Sequence, residues 1–293
     1  MEVFVVFAVL AAFIFSVVGL IDRHIMASRH ENLTTVLFIS MLSKFIVFSV
    51  VFLFFGSSIV DVPAFIISVV AGFLLGAGIL AYYKALSEGP VSLFSPITSL
   101  EAVFVALLAY FLIDDKLTVT EYVGMFILLF GVVVMSYKKG NHSNLKQFVF
   151  FAVLGAFLIG AQSFLVDVSG MVQGLPNVLF GIGIGNLFFA TVLSLSEKKS
   201  FFTAVDENFK ELLFVNTLAL VGTFILYYAI IVGPAAIVVA LLGFKHVFTY
   251  LATRILDYQQ NDILKDHVFD VSNTRKIIGI AIVIVGTLFM TIL

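Results

Sequence analysis

The sequence predicts an all-α integral membrane protein with ten transmembrane helices, arranged as two inverted five-helix repeats. Three observations lead to this prediction. The 293 residues are 61% hydrophobic and only 12% charged, which is about half the charged fraction of an average soluble domain. The hydrophobic residues form ten separate runs of membrane length. Short sequence elements of the first five runs recur, in the same order, in the last five.

Each run approaches the roughly 20 apolar residues that a helix needs to cross the hydrocarbon core of a bilayer. The runs are continuous, whereas the strands of a membrane barrel would alternate apolar and polar residues. The sequence therefore predicts helices. In chain order the runs cover about residues 3–21, 33–55, 64–86, 90–113, 119–137, 147–167, 177–195, 211–231, 234–256 and 275–293.

Recurring elements divide the chain into a first repeat at 1–137, a polar linker at 138–146 and a second repeat at 147–293. Because each repeat holds an odd number of segments, the second must enter the membrane in the opposite direction, an arrangement common in secondary transporters. The matching elements are FAVLAAF (7–13) with FAVLGAF (151–157), VLF (36–38) with VLF (178–180), Gly89-Pro90 with Gly233-Pro234, and Gly124 and Gly131 with Gly279 and Gly286.

Lysine and arginine are divided unequally between the two sides of the predicted bundle. Thirteen lie in the loops that follow the odd-numbered segments, and one, Lys116, lies on the other side. Cytoplasmic loops of membrane proteins carry the excess of these residues. We therefore predict a multi-pass protein of the plasma membrane with those five loops in the cytoplasm and both termini outside.

Three ionisable residues lie near the midpoints of predicted helices, where a charge costs on the order of 2.5–3.5 kcal/mol on insertion scales. Lys44 is central in the second segment, and Glu101 and Lys245 each follow the proline that opens their segment by eleven residues. Eleven helical residues span roughly 16 Å, about half the membrane. Pro96, between Pro90 and Glu101, removes a backbone donor and predicts a bend in the fourth helix.

The repeat pairs these central residues. Glu101 and Lys245 occupy equivalent positions, as do Lys44 and Asn186, each of which lies eight residues after the valine of its VLF element. Inverted-repeat transporters place their solute and coupling-ion sites at such a level. The full set of predicted substrate-binding or coupling residues is Lys44, Glu101, Lys245, Asn186, His246, Gln162, Tyr83 and Tyr227, the last two from the tyrosine pairs Tyr82-Tyr83 and Tyr227-Tyr228.

Two interpretations of the central charges remain open. Glu101 could form a buried ion pair with one of the two lysines and join two helices. One positive charge would then be left over, which suggests an anionic or amino-acid-like solute, and Glu101 could instead couple transport to protons. Burial could also leave one lysine neutral.

Absent motifs exclude several classes of protein. The chain has no cysteine, which excludes disulfides and cysteine metal sites. It lacks GxxxxGK[ST], HExxH and GxSxG, the signatures of P-loop ATPases, zinc peptidases and serine hydrolases. It also has no basic stripe for nucleic acid. We expect no cofactor, no metal and no enzyme activity, and the expected partners are a small-molecule solute and the lipid bilayer.

The chain resembles the EamA family of the drug/metabolite transporter superfamily in its length, its ten helices and its two halves. The helix-turn-helix LIDDKLTVTEYVGMFILLFGVVVM resembles the family pattern of an acidic residue and a Leu-Thr before a Gly-x6-Gly helix. Asp115, Leu117, Thr118, Gly124 and Gly131 take those places. In the second helix, Lys44 stands where many members have an arginine.

This resemblance implies a secondary carrier that works by alternating access, with a cavity between its halves. Family members usually keep their termini in the cytoplasm, whereas the charge bias of this chain predicts the reverse. Two alternatives remain: an integral-membrane enzyme acting on a lipid-linked substrate, and a membrane scaffold that transports nothing.

Overall fold

The computed structural model describes residues 2–28, 33–56, 61–88, 97–114, 117–136, 145–196, 209–258 and 273–291. Within these ranges the regular elements are all α-helices. In chain order they are α1 (Val3–Ser28), α2 (Leu33–Phe55), α3 (Val62–Glu88), α4 (Glu101–Leu112), α5 (Val119–Ser136), α6 (Leu145–Gly170), α7 (Leu175–Ser196), α8 (Phe209–Val232), α9 (Ala235–Leu241), α10 (Phe244–Tyr258) and α11 (Asn273–Thr291).

The helices are long and apolar enough for a multi-pass membrane protein. In the described ranges, seven stretches could each cross a membrane by length and composition, and the apolar parts of α4, α5 and α11 are shorter. The predicted all-α membrane fold is confirmed in this form. The total of ten crossings, the inverted relation of the repeats and the domain boundaries stay predictions. The predicted linker lies outside the described residues except for 145–146, which begin α6.

Side-chain caps define where two of the helices begin. The Asp61 carboxylate accepts a hydrogen bond from the Ala64 amide at 2.9 Å, at the start of α3. Thr118 precedes α5, and its hydroxyl accepts from the Glu121 amide at 3.3 Å, while Glu121 accepts from the Thr118 amide at 2.6 Å. This reciprocal pair is a capping box, which satisfies amides that have no partner inside the helix.

Most helix contacts join the first half of the chain to the second. The helix α1 packs on α8 and α10, α2 on α7, α3 on α6 and α7, α4 on α6 and α9, and α5 on α11. The two halves therefore interleave, and the core between them is shared.

Equivalent helices of the two halves run antiparallel where they pack. Phe52, late in α2, stacks on Phe180, early in α7, with ring centroids 4.4 Å apart, whereas Phe45, about two turns earlier, lies against Gly183. The same holds for α5 and α11. There, a Cβ on Gly131 would lie 2.9 Å from the Gly279 carbonyl oxygen, and a Cβ on Gly286 would lie 2.8 Å from the Gly124 carbonyl oxygen. The later glycine of each helix thus meets the earlier glycine of the other.

Glycines bring α3 and α7 into backbone contact. A Cβ added to Gly72 would collide with the Ile182 carbonyl, and one added to Gly185 would collide with the Val69 carbonyl. Small residues allow membrane helices to approach in this way. The close approach holds α7 against the bundle at the level of the predicted site.

The fourth and ninth predicted segments are interrupted. The ninth consists of α9 and α10, separated by a turn at Leu242–Gly243, where the Lys245 amide donates to the Leu242 carbonyl at 2.9 Å, three residues back. In the fourth segment a turn at 99–100 precedes α4. Pro96, the predicted cause of a bend, lies outside the described residues. Glu101 is the first residue of α4, and Lys245 is the second of α10, so both stand beside a break.

Candidate functional site

A cavity of about 380 Å³ lies among helices from both halves of the chain. This volume is within the roughly 300–1,000 Å³ of small-molecule sites. Helices α1, α2, α3, α4, α6, α8 and α10 contribute to its wall. Seven of the eight predicted site residues line it: Lys44, Tyr83, Glu101, Gln162, Tyr227, Lys245 and His246.

Glu101 has the most defined surroundings of these residues. Its side chain is 6% exposed, and its carboxylate accepts a short hydrogen bond from the Tyr82 hydroxyl. The positive charge of Lys245 also acts on this carboxylate. Gly160 of α6 lies against the Glu101 backbone, where a Cβ would come within 2.9 Å of the Glu101 carbonyl oxygen. The acid is therefore held between α3, α6 and α10.

The two lysines face the same cavity from different helices. Lys44 reaches it from α2 and is 7% exposed, and Lys245 reaches it from α10 and is partly buried. Both ammonium groups and the Glu101 carboxylate thus border one space, although they are separated by more than 50 residues along the chain. A solute in this space would meet donors and an acceptor at once.

Gln162 and Tyr227 join α6 to α8 in the cavity wall. The Gln162 amide donates to the Tyr227 hydroxyl at 3.0 Å, and both side chains are buried. A typical intramolecular bond of this kind contributes about 1 kcal/mol. It fixes two polar groups at the edge of the space that a solute would fill.

His246 connects the two interrupted segments. Its Nε2 lies 3.5 Å from the hydroxyl oxygen of Ser99, which is in the turn before α4. A small gap between the breaks is lined by both turns and by Glu101 and Lys245. The interruptions therefore meet beside the charged residues, an arrangement that transporters use to present backbone groups to a ligand.

Asn186, the eighth predicted residue, lies outside the cavity lining. Its side chain is 0% exposed on α7, and neither Nδ2 nor Oδ1 has a hydrogen-bond partner among the described residues. Leaving buried polar groups unpaired costs about 1–3 kcal/mol. The repeat predicts equivalent positions for Asn186 and Lys44, and in the structure Lys44 lines the cavity whereas Asn186 does not.

Sequence reasoning gave too little weight to Tyr82 and did not single out Thr98 or Ser163, which also line the cavity. Tyr82 stood in a recognised tyrosine pair, so a signal existed. Thr98 and Ser163 carry no such signal, because hydroxyl residues are common inside membrane helices, where they bond to the backbone of their own helix.

The cavity is displaced toward one end of the bundle. Its lining comes from the second half of α1, the first half of α2 and the second half of α3, whose ends lead into the loops rich in lysine and arginine. The opposite end is filled by α9, in which all seven residues are buried, together with Phe4 and Val5 of α1 and Val105 of α4. The cavity thus lies nearer one end of the bundle, and α9 packs at the other.

No group of three or more potential metal ligands among His, Cys, Asp and Glu occurs in the part of the chain that the structure describes. The chemistry that the arrangement offers is that of binding: ammonium and hydroxyl donors, one carboxylate and an imidazole around an enclosed space. The fold and the cavity together define a polytopic α-helical membrane protein with a cavity inside the bundle that is lined by ionisable and polar side chains.

Comparison with known families agrees with this class. Residues 3–137, slightly less than half of the chain, match the model of the EamA-like transporter family. The predicted resemblance is therefore confirmed. The family indicates a membrane transporter of small solutes.

A solved structure shares the fold over nearly the whole chain. Among curated proteins none matches the sequence, but 28 chains of solved structures match. One, described only as the crystal structure of a protein, has a TM-score of 0.77 and 15% sequence identity, with 99% of each chain covered. At this identity the likeness is one of fold alone.

Proposed function

We propose that this protein is a secondary transporter that moves a small metabolite by alternating access, with the solute bound near the midplane between two repeats. One observation carries the proposal: Lys44, Glu101 and Lys245, from helices of both halves, face a single cavity beside two helix interruptions. Charges inside membrane segments are costly and are retained where a pathway needs them.

Ten crossings in two inverted repeats, 1–137 and 147–293, are part of this proposal. The three shorter apolar helices would complete the seven longer ones. The antiparallel packing of α2 on α7 and of α5 on α11 supports the inversion, since equivalent helices of inverted repeats run in opposite directions.

The cavity corresponds to an inward-open state under the proposed orientation. Its lining residues on α1, α2 and α3 lie toward the loops rich in lysine and arginine, which we assign to the cytoplasm of a plasma-membrane protein. Those on α6 lie in its second half, deeper in the bundle. The packed end around α9 would then be the external gate in its closed position.

The proposed solute is anionic or amino-acid-like. Two lysines and one glutamate border the cavity, so a carboxylate or phosphate would find a cationic partner and a solute amine would find Glu101. Because Tyr82 donates to Glu101, this acid has a fixed position in which it could exchange a proton for a solute group. Proton coupling at Glu101 is therefore part of the proposal.

Flux in reconstituted vesicles tests the transporter. A thermal-shift screen of the purified protein against acidic metabolites and amino acids first selects the solute. Lys44→Met and Lys245→Met then each lower its uptake, since replacing a binding ammonium group by an apolar end removes a charge-assisted bond worth about 1.5–3 kcal/mol, or at least about tenfold in affinity.

Lys84→Met is the matched control, because Lys84 is exposed, lies over the Phe151 ring at 5.6 Å and does not line the cavity. We expect solute uptake by the Lys84→Met variant to stay close to that of the unmodified protein. Unchanged uptake in both cavity variants would remove the lysines from the site, and no flux of any selected solute in the unmodified protein would overturn the transporter.

A further inference from the structure

Asn186 is a polar side chain that forms no hydrogen bond within the part of the chain that the structure describes. It is fully buried on α7, and both polar atoms of its amide lack hydrogen-bond partners among the described residues. Ala190, one turn further along α7, packs in an apolar cluster with Leu37 and Met41 of α2. An apolar side chain of similar size would therefore be more favourable here, since burying an unpaired amide is costly.

The register of the repeat gives Asn186 a counterpart in the cavity. Leu37, Ser40 and Lys44 of α2 all line the cavity. With the VLF elements aligned, the equivalent residues of α7 are Leu179, Ile182 and Asn186. All three are 0% exposed. One face of α2 is thus open to the cavity, while the equivalent face of α7 is packed.

Beside this face, α7 approaches α2 and α3 closely through glycine. Gly183 lies against the Cα of Phe45 in α2, and Gly181 and Gly185 lie against α3. Glycine contacts are close but have no interlocking side chains of their own. At these three positions no side chain of α7 opposes its movement, and the side-chain contacts that a movement must break include the stacking of Phe180 on Phe52 of α2.

We propose that Asn186 is a solute-contacting residue of the opposite-facing state, an inference that rests on the proposed alternating-access function. When the cavity opens at the other membrane face, α7 exposes Leu179, Ile182 and Asn186, as α2 now exposes Leu37, Ser40 and Lys44. The amide then donates to and accepts from the polar solute. The amide of Asn186 has no hydrogen-bond partner among the described residues in this conformation because its position serves the opposite-facing state.

Cysteine accessibility tests the exposure of this residue, because the chain has no cysteine of its own. Asn186→Cys and Ser40→Cys, each as the single cysteine, are reconstituted in vesicles and treated with a membrane-impermeant maleimide from one face at a time. Ser40→Cys reacts from the face next to the lysine- and arginine-rich loops. Asn186→Cys reacts from the opposite face only, and faster while the solute is being transported.

If Asn186→Cys stays unreactive from both faces during transport while Ser40→Cys reacts, the residue is part of a static core and the inference is wrong. A reaction from the same face as Ser40→Cys would also overturn it. Flux of the unmodified protein is measured in the same vesicles. If the unmodified protein shows flux but Asn186→Cys is unreactive, only the inference about Asn186 is rejected. If the unmodified protein shows no flux, the proposed transport is rejected as well.

Asn186→Leu supplies a second readout that does not depend on labelling. The apolar side chain removes the unpaired amide, so the purified protein melts at a higher temperature in this conformation. The opposite-facing state loses a polar contact, so transport falls by about tenfold, a shift in equilibrium equivalent to about 1.4 kcal/mol. Wild-type flux in Asn186→Leu would overturn the inference.

Discussion

Lys44, Glu101 and Lys245 illustrate which residues a sequence can identify and which it cannot. Charged residues in the middle of apolar runs are unusual in membrane proteins. Each of the three could therefore be identified as a candidate site residue from the sequence alone. The Tyr82 hydrogen bond to Glu101 was not, because it depends on how α3 and α4 are placed against each other. Asn186 was predicted from the repeat, but its burial without hydrogen-bond partners among the described residues depends on how α7 packs in the bundle.

Glu101→Gln separates proton coupling from solute binding. Glutamine keeps an oxygen for the Tyr82 hydroxyl but cannot release a proton. We expect solute accumulation driven by a proton gradient to be lost, while exchange of labelled for unlabelled solute, which needs no net proton movement, continues. The two assays are run on the same vesicles. Accumulation equal to that of the unmodified protein would rule out Glu101 as the coupling residue.

Interrupted helices are the main feature at the level of elements. The ninth run was predicted as one continuous helix, and the structure divides it at Leu242–Gly243. Hydropathy could not reveal this division, because Leu241, Leu242 and Phe244, which flank Gly243, are apolar. The interruption becomes visible only through its hydrogen bonds, which span three residues instead of four, and through the second break that it meets near Ser99 and His246.

The family-like Leu117-Thr118 pair has a physical explanation in the start of α5. Thr118 and Glu121 form the reciprocal capping box, and the Gly-x6-Gly pattern that follows places Gly124 and Gly131 against α11. Cap and glycines together determine where α5 begins and how closely it packs. Both parts of the motif thus serve structure and do not contact the cavity.

Thr118→Ala tests the cap. Removing the hydroxyl leaves the Glu121 amide without its side-chain partner, and we expect a loss of about 1 kcal/mol in the free energy of unfolding, measured by denaturant titration in detergent. Thr120→Ala, inside the same helix turn, is the control and leaves stability unchanged or slightly higher, because alanine favours helix. Equal stability of both variants would show that the cap contributes nothing measurable.

At the scale of the whole molecule, the proposed orientation in the membrane rests on the distribution of charge. On α1, α2 and α3 the residues that line the cavity lie toward the ends of these helices that lead into loops rich in lysine and arginine. Charge bias in such loops sets orientation during insertion. An inward-open cavity and external termini are thus two consequences of one assignment, and a single topology experiment addresses both.

Alkaline phosphatase fusions test this orientation. An enzyme fused to the C-terminus is expected to be active, because it folds only outside the cytoplasm. The same enzyme fused within the predicted linker, after residue 142, is the control and stays inactive, since five preceding segments return the chain to the cytoplasm. An inactive C-terminal fusion beside an active linker fusion would reverse the orientation and make the cavity outward-open.

The sequence by itself determined the membrane class, the apolar runs, the central ionisable residues and the resemblance that residues 3–137 confirm, because hydrophobic length and the cost of buried charge act locally along the chain. Only the tertiary structure decided that seven predicted residues line one cavity while Asn186 is packed away, and that two helices break beside Glu101 and Lys245. A repeat makes two halves equivalent in sequence. Packing in the folded bundle makes the surroundings of equivalent residues different, since Lys44 borders a cavity and Asn186 is buried against other helices.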